Sequence, residues 1–268
     1  MRIVKEPTVY FIASSQLEEE GEQLEKFLDD IGDPNWYIND DISDGENIIE
    51  AGGRMCYRSW QAYDPEMPLA TNPNVTKVRE GNDIYLANVL KSRHGSILEH
   101  ISASFIFRDV SRVFTHELTR HRAGMAYSQE SLRYVRLDDL SFWIPDWIRE
   151  NIEANDLALS TIKYLENVQK KFAEIYKIKD IKSFQTKKQM TSGFRRFAPI
   201  GLGTSILATG NLRSWRHVIE MRTSEHAEEE IRLVFGKVAN TLKDAFPNVF
   251  QDMNVNNKGE WLFENQKV

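Results

Sequence analysis

The chain has 268 residues, 41% of them hydrophobic, with a formal net charge of −6. That length and apolar fraction are enough to bury a substantial core, and the acidic balance argues against a surface built to coat nucleic acid. A single cysteine, Cys56, rules out an internal disulfide and any multi-cysteine metal centre, so the expectation is a reducing, cytoplasmic setting with no metal site.

The opening MRIVKEPTVYFIASSQLEEEGE places a short apolar stretch directly before a run of acids, unlike a secretory leader. No apolar run is long enough to cross a bilayer, and no membrane partner is expected. Residues 9–13 read as a short strand, and 16–30 as an acidic amphipathic helix carrying Leu17, Leu24 and Leu28. Asp, Gly, Pro and Asn crowd residues 33–82, so apart from a helical candidate at 48–57 that stretch reads as loop, with a peripheral insertion near 60–80. The spacing of Ile84, Leu86, Val89 and Leu90 predicts a helix ended by His94-Gly95. In ISASFIFRDV, Ile101, Ala103, Phe105 and Phe107 alternate with Ser102, Ser104 and Arg108, the mark of a strand with one buried face.

Helical spacing takes over at 111–121, with Val113, Phe114 and Leu118 inward, whereas 123–133 shows no period and reads as loop. A stripe from Ile148 through Ile162 to Ile175, with Asn155 as its polar gap, predicts one long helix over 146–177 that packs across the sheet or against another subunit. A helix at 183–197, a short strand at 205–208, a helix at 212–221 capped by Asn211 and a last helix at 224–246 complete the reading. No low-complexity linker divides the chain, so 1–268 is taken as a single mixed α/β domain.

Arginine usage locates the chemistry. From Arg93 to Arg133 there are six arginines and no lysine, and from Arg195 to Arg222 five arginines with one acid, Glu220. A guanidinium offers a planar fork that fixes the orientation of a phosphate or of the edge of a base, whereas lysine offers a mobile point charge. Both stretches therefore point to anionic ligands held in set orientations. The densest feature is Arg120-His121-Arg122 followed by Tyr127-Ser128-Gln129-Glu130-Ser131-Leu132-Arg133-Tyr134, with Glu117 and Arg112 on the helix before it. Taken alone this is equally a solvated helix end with a turn anchored by a tyrosine. Ser131 lacks the strand-to-helix elbow of a hydrolytic nucleophile.

An RHR triplet, a short spacer, then a serine followed one residue later by Arg-Tyr resembles the signature of the flavin-dependent thymidylate synthases. Here the spacer, residues 123–130, is one residue longer than usual, and the extra residue is placed within 123–126. His94-Gly95-Ser96 with Glu99-His100 resembles a second element of that family, and Gly210 to His217 with Met221-Arg222 and His226 to Arg232 a third. Arg195 and Pro199 fit a fourth, with Ala198 where leucine is usual. The matches span about 54–232.

This resemblance implies an α+β fold with an antiparallel-type sheet flanked by long helices, and a homotetramer with active sites at subunit interfaces. It implies reductive methylation of dUMP to dTMP, with 5,10-methylenetetrahydrofolate giving the carbon and FAD reduced by NADPH giving the hydride. Ser96, Glu99, Arg120, His121, Arg122, Asn211, Arg213 and His217 would hold FAD. Glu117, Arg120, Glu130, Ser131, Arg133, Arg195 and Arg222 would bind dUMP, and Arg222, Ser131 and His94 would be the catalytic groups. Cys56 matches a position near the flavin, so a cysteine nucleophile is not expected. No GxGxxG element is present, so NADPH would use the flavin cavity. The longer spacer and Ala198 leave an alternative open, a flavin- and nucleotide-binding paralogue that has lost methylation.

Overall fold

The structure, a computed structural model, describes residues 2–132 and 141–268. In chain order its elements are β1 (Arg2–Val4), β2 (Thr8–Ser14), α1 (Glu22–Asp30), α2 (Asp44–Tyr57), α3 (Asn82–Lys91), β3 (Ser102–Ser111), α4 (Arg112–Leu118), β4 (Met125–Gln129), β5 (Ser141–Trp143), α5 (Asp146–Arg149), α6 (Ile152–Ile175), α7 (Phe184–Phe194), β6 (Gly203–Asn211), α8 (Leu212–Thr223), α9 (Glu229–Ala245), β7 (Met253–Val255) and β8 (Trp261–Phe263). Four strands pair in the order β2-β3-β6-β4, each neighbour antiparallel. Strand β1 lies parallel to β5, and β7 pairs antiparallel with β8. The fold is the mixed, antiparallel-sheet α+β arrangement that the sequence implies.

The alternation in β3 sets the core. Ala103, Phe105 and Phe107 are fully buried, while on the opposite face the hydroxyls of Ser104 and Thr209 bond to each other at 2.8 Å. Helices α8 and α9 cover the apolar face: Trp215 meets Phe105 edge-on at 5.2 Å, and Phe235 lies against both Phe107 and Phe114. Asp109, at φ 60, sits in the bulge between Phe107 and Val110 and takes two hydrogen bonds from the Arg2 guanidinium. Past the bulge Val110 and Ser111 are both buried, and the chain turns into α4.

Several sequence readings need correction. Residues 123–133 are not all loop: β4 forms there because its main chain has an open edge of β6 to pair with, a tertiary cause that leaves no local period. The single helix expected over 146–177 is broken into α5 and α6, since Asn151 turns its side chain back to accept from the Ala154 amide and caps a new helix. Along the stripe Ile152 and Ile175 at the two ends of α6 are exposed, Ile162 is buried, and Leu159, Leu165, Val168 and Phe172 are half-buried. Helix α1 starts at Glu22, because Glu19, Glu20 and Gly21 all take positive φ. Helix α2 starts at Asp44, capped by Ser43, so its first turn lies in what reads as loop. Strand β6 is nine residues long and central, not four. Helix α9 starts at Glu229, where the Glu228 side chain accepts from two amides of the first turn. Ile84 is exposed.

In the 60–80 region Trp60 and Ala70 are buried with Leu28 and Ala51, and Trp60 meets Trp36 edge-on. Among the described residues no helix is long and apolar enough to cross a membrane, and no cluster of His, Cys, Asp and Glu could hold a metal ion.

One buried carboxyl ties the long helix to the sheet. Glu230 of α9 accepts from the Ser111 amide at 2.7 Å and from the Ser111 hydroxyl, which itself caps α4 by accepting from the Phe114 amide. Burial pushes the Glu230 carboxyl up to about 7, against the two bonds from Ser111 and with help from Glu228. A carboxyl raised on folding favours the protonated native state, so its contribution to stability is lost as pH climbs from 4.5 to about 7. Glu230→Gln keeps donor and acceptor in place without the charge. Denaturant unfolding should therefore show the variant gaining on the parent as pH rises through that window, whereas a constant difference at all pH would contradict the assignment.

Candidate active site

The pairing of β6 decides where the arginine-rich segments end up. At one end Asn211 pairs with Ser102 and Gly210 with Met125; at the other Gly203 pairs with Ser111 and Ile206 with Gln129. Helix α4 carries the chain from Ser111 back along the sheet, so Arg120-His121-Arg122 arrive beside Asn211. Strand β4 then returns toward Thr204 and delivers Glu130 and Ser131 there. From Asn211 to Ser205 is six strand residues, roughly 20 Å.

At the Asn211 end a cavity of about 550 Å³ is lined by Glu99, Arg120, His121, Arg122, Asn211, Arg213 and His217, as well as by residues 265–268. Asn211 caps α8 by accepting from the Ser214 amide at 2.8 Å. The turn after RHR is pressed onto this cap: Gly124, at φ +66, gives its carbonyl to the Asn211 amide, and the Ser214 hydroxyl donates to the Ala123 carbonyl. A Cβ on Gly124 would collide with both Asn211 and Ser214, so the longer spacer is housed in a turn that only glycine fills. Arg213 pairs with Glu99 at 2.5 Å. Arg120 and Arg122 are exposed, and neither forms an ion pair among the described residues. Three guanidinium groups around the start of a twelve-residue helix make a donor set suited to the diphosphate of a dinucleotide.

A second cavity of about 290 Å³ adjoins the first, with Arg213 lining both. His94 and Ser96 open into this one, beside Cys56, Tyr57 and Tyr85. The His94 ring stacks on Tyr57 at 6.1 Å.

Midway along, Arg222 of α8 reaches α4. Its Nη1 donates to Glu117 Oε2 at 2.7 Å, its Nη2 to the Glu117 carbonyl at 3.1 Å, and its Nε to His121 Nε2 at 2.8 Å. An imidazole that accepts at Nε2 carries its proton on Nδ1. Burial, with Arg222 and then His217 adding, pushes the His121 imidazole down to about 4, and His217 meets its ring edge-on at 5.9 Å. Tyr127 of β4 fixes the end of α4, its hydroxyl donating to the carbonyls of Leu118 and His121.

At the Gly203 end the Glu130 carboxylate accepts from the Ser205 amide at 2.8 Å and the Thr204 hydroxyl at 3.4 Å, so it is tied to β6. Arg112 crosses the same ground: its Nη2 donates to the Glu130 carbonyl and to the Thr204 hydroxyl. Its Nε is buried without a hydrogen-bond partner. Burial lowers the affinity of this guanidinium for its proton, Glu130 opposing and Arg195 adding to the effect. A half-buried guanidinium that keeps an unused donor and feels a second cation nearby is an arrangement that an anion completes. Ser131 follows Glu130 directly; Arg133 and Tyr134 lie outside the described residues. In the sequence Arg112 reads only as part of a charged helix face. Its place in the arginine-without-lysine stretch was the available signal.

The neutral state of His121 is testable. Because its folded value lies near 4 rather than the ordinary 6.5, its contribution to stability is full above 6.5 and is lost as pH falls toward 4. Nitrogen NMR of labelled histidine should show one imidazole that holds its proton on Nδ1 and stays neutral at pH 5.5. All six histidines titrating together near 6.5 would contradict the Arg222 contact.

Comparison with known proteins gives the family. Residues 38–248 match the sequence model of the thymidylate synthase complementing protein family. The flavin-dependent thymidylate synthase of Mycobacteroides abscessus is 34% identical over 238 residues, covering 87% of this chain and 89% of that protein. That of Corynebacterium diphtheriae is 32% identical over 224 residues, covering 81% and 82%. Among solved structures, the UMP/dUMP methylase PolB of Streptomyces cacaoi bound with 5-Br dUMP superposes with a TM-score of 0.62 at 16% identity, over 94% of this chain and 96% of that one, a likeness of fold. On the family match and the identity to these relatives, the chain belongs to the thymidylate synthase complementing protein family, that of the flavin-dependent thymidylate synthases.

Proposed function

We propose that this protein methylates dUMP to dTMP as a flavin-dependent thymidylate synthase. The observation that carries the reading is the Arg222 fork, held by Glu117 and His121 between the cation-lined cavity at one end of β6 and Arg112, whose Nε has no hydrogen-bond partner, at the other. When bound, FAD reduced by NADPH would supply the hydride and 5,10-methylenetetrahydrofolate the one-carbon unit. Arg120, Arg122 and Arg213, with the Asn211 cap, would hold the flavin's diphosphate, and Ser96, Glu99, His121 and His217 would complete its surroundings. His94, stacked on Tyr57, would position flavin or folate.

The residues at the Gly203 end would hold the nucleotide. Arg195, Ser131 and Arg133 would take the phosphate, joined by Arg112 through its unused Nε. Glu130 would shape this subsite through its bonds to β6, and Arg120 would reach both ligands. Arg222 would face the uracil ring, where a fixed cation stabilises the negative charge that grows on the pyrimidine oxygen as C5 becomes nucleophilic. Glu117 and the neutral His121 hold that guanidinium in one orientation before substrate arrives, so little reorganisation accompanies the reaction.

The two ends of β6 are far apart within one chain, which supports active sites shared between copies in a homotetramer. Ile152, Leu157, Tyr164 and Ile175 of α6 and Phe184 of α7 are all exposed and offer apolar surface for that assembly. A cytoplasmic location accords with the lone free Cys56, and one domain over 1–268 with the long-range sheet.

Purified protein should convert dUMP to dTMP anaerobically with FAD, NADPH and 5,10-methylenetetrahydrofolate, and product should vanish when either FAD or the folate is omitted. Arg222→Lys keeps the charge but not the fork, and should lower kcat roughly tenfold to a hundredfold with flavin still bound. Arg112→Ala should act mainly on KM for dUMP. Folded, flavin-loaded protein without any dTMP formation would leave a flavoprotein that does not methylate.

A further inference from the structure

Helix α3 ends in a closed turn: the Arg93 amide donates to the Leu90 carbonyl at 3.0 Å and the His94 amide to the Val89 carbonyl at 3.1 Å. This double closure needs the residue just past the helix cap in the left-handed region, where glycine is the usual occupant because it has no Cβ to clash. Here arginine holds that place, at φ 58. The turn sets Arg93 and His94 on the wall of the second cavity, beside Tyr57 and Tyr85. The exposed His94 and Tyr57 rings are 21° from parallel, so this wall offers flat π surface to a ring system. Of the two guanidinium groups on the wall, Arg213 is paired with Glu99, whereas the exposed Arg93 side chain makes no hydrogen bond or ion pair among the described residues. A side chain that strains the turn and gives the fold no polar contact points to a role outside folding.

We propose that Arg93 is a co-substrate anchor, its guanidinium taking the anionic end of a ligand whose ring system lies on the Tyr57–His94 pair. The inference rests on the reading that the two adjoining cavities serve the flavin reaction. That reading brings two ligands of this chemistry: NADPH, with a phosphate on the ribose of its adenosine, and the folate, with the carboxylates of its glutamate. Either group can take the two parallel N–H bonds of a guanidinium fork, which fix orientation as well as adding affinity. At about 290 Å³ the cavity holds a part of either molecule, so Arg93 grips one end and leaves the rest to run toward Arg213 and the larger cavity. A cation just past a helix C-terminus also meets the helix dipole, but that effect acts on stability and is blind to the ligand.

Equilibrium binding to the full-length, FAD-loaded protein separates these roles without turnover. The probes are NADP+ against NAD+, which differ in that one phosphate, and tetrahydrofolate against an analogue in which a neutral methylamide replaces the glutamate. Calorimetry reads each Kd, and thermal unfolding runs alongside. Arg93→Gly should weaken NADP+ or tetrahydrofolate about tenfold and leave the truncated member of that pair as in the parent, with Tm unchanged or raised because glycine fits the turn. The pair that shows the loss names the anchored group. Arg93→Lys keeps the charge at the same backbone strain and should recover part of the loss, Arg93→Gln none. Unchanged Kd for all four probes, equal losses within both pairs, or a loss accompanied by a falling Tm would each overturn the proposal. A parent that loads FAD but binds none of the four would overturn it as well, whereas a parent that loads no FAD removes the cofactor reading beneath it.

Discussion

The antiparallel pairing of β6 with β3 on one side and β4 on the other is the constraint on which the rest depends. Its register puts Asn211 opposite Ser102 and Gly203 opposite Ser111, so a helix leaves each end of the sheet with a side-chain cap at its start: Ser111 for α4 and Asn211 for α8. The two helices return along the sheet in opposite senses and meet where Arg222 touches Glu117 and His121. Slipping β6 by one residue would turn Ile206 and Ala208 out of the core and move both caps. Core packing and site geometry are therefore fixed by the same hydrogen bonds.

Arginine plays two opposed roles in this molecule. Arg54 and Arg216 are buried and fully engaged: Arg54 with Glu50, the Ser59 and Arg79 carbonyls and the face of Tyr85, Arg216 with Asp252 and the Val249 carbonyl. Removing either carboxylate would strand a charge in the core. Arg120, Arg122, Arg195 and Arg112 differ, the first three exposed and the last retaining an unused donor. Groups whose charge the fold leaves uncompensated are those a phosphate can satisfy, and they cluster at the two ends of one strand. Arg222 stands between the classes, held by Glu117 and His121 yet half-buried at the site.

Where side chains alternate or repeat strongly, the sequence was legible. The buried face of β3, the cap at Asn211 and the apolar side of α9 all follow from local spacing. Most of the candidate cofactor residues also come together as the motif order implies, seven of them around one cavity. What could not be read locally was set by distant partners. Strand β4 exists because β6 offers an edge, and the break before α6 comes from one asparagine inside an otherwise continuous stripe. Arg112 looked like any helix-surface arginine until Thr204 and Glu130 were seen to surround it, and nothing in the last five residues signals that they turn back onto Gly95.

The central claim is that one chain carries its cofactor groups and its substrate phosphate groups at opposite ends of the same strand, and that each active site joins ends from different copies. Mixing two inactive variants tests it most directly: Arg213→Ala, altered at the Asn211 end, and Arg195→Ala, altered at the other, unfolded and refolded together so that subunits exchange. The account predicts that the mixture recovers dTMP formation that neither variant shows alone, because some sites then draw an intact end from each parent. Mixed assemblies confirmed by native mass spectrometry yet no more active than the separate variants would contradict it.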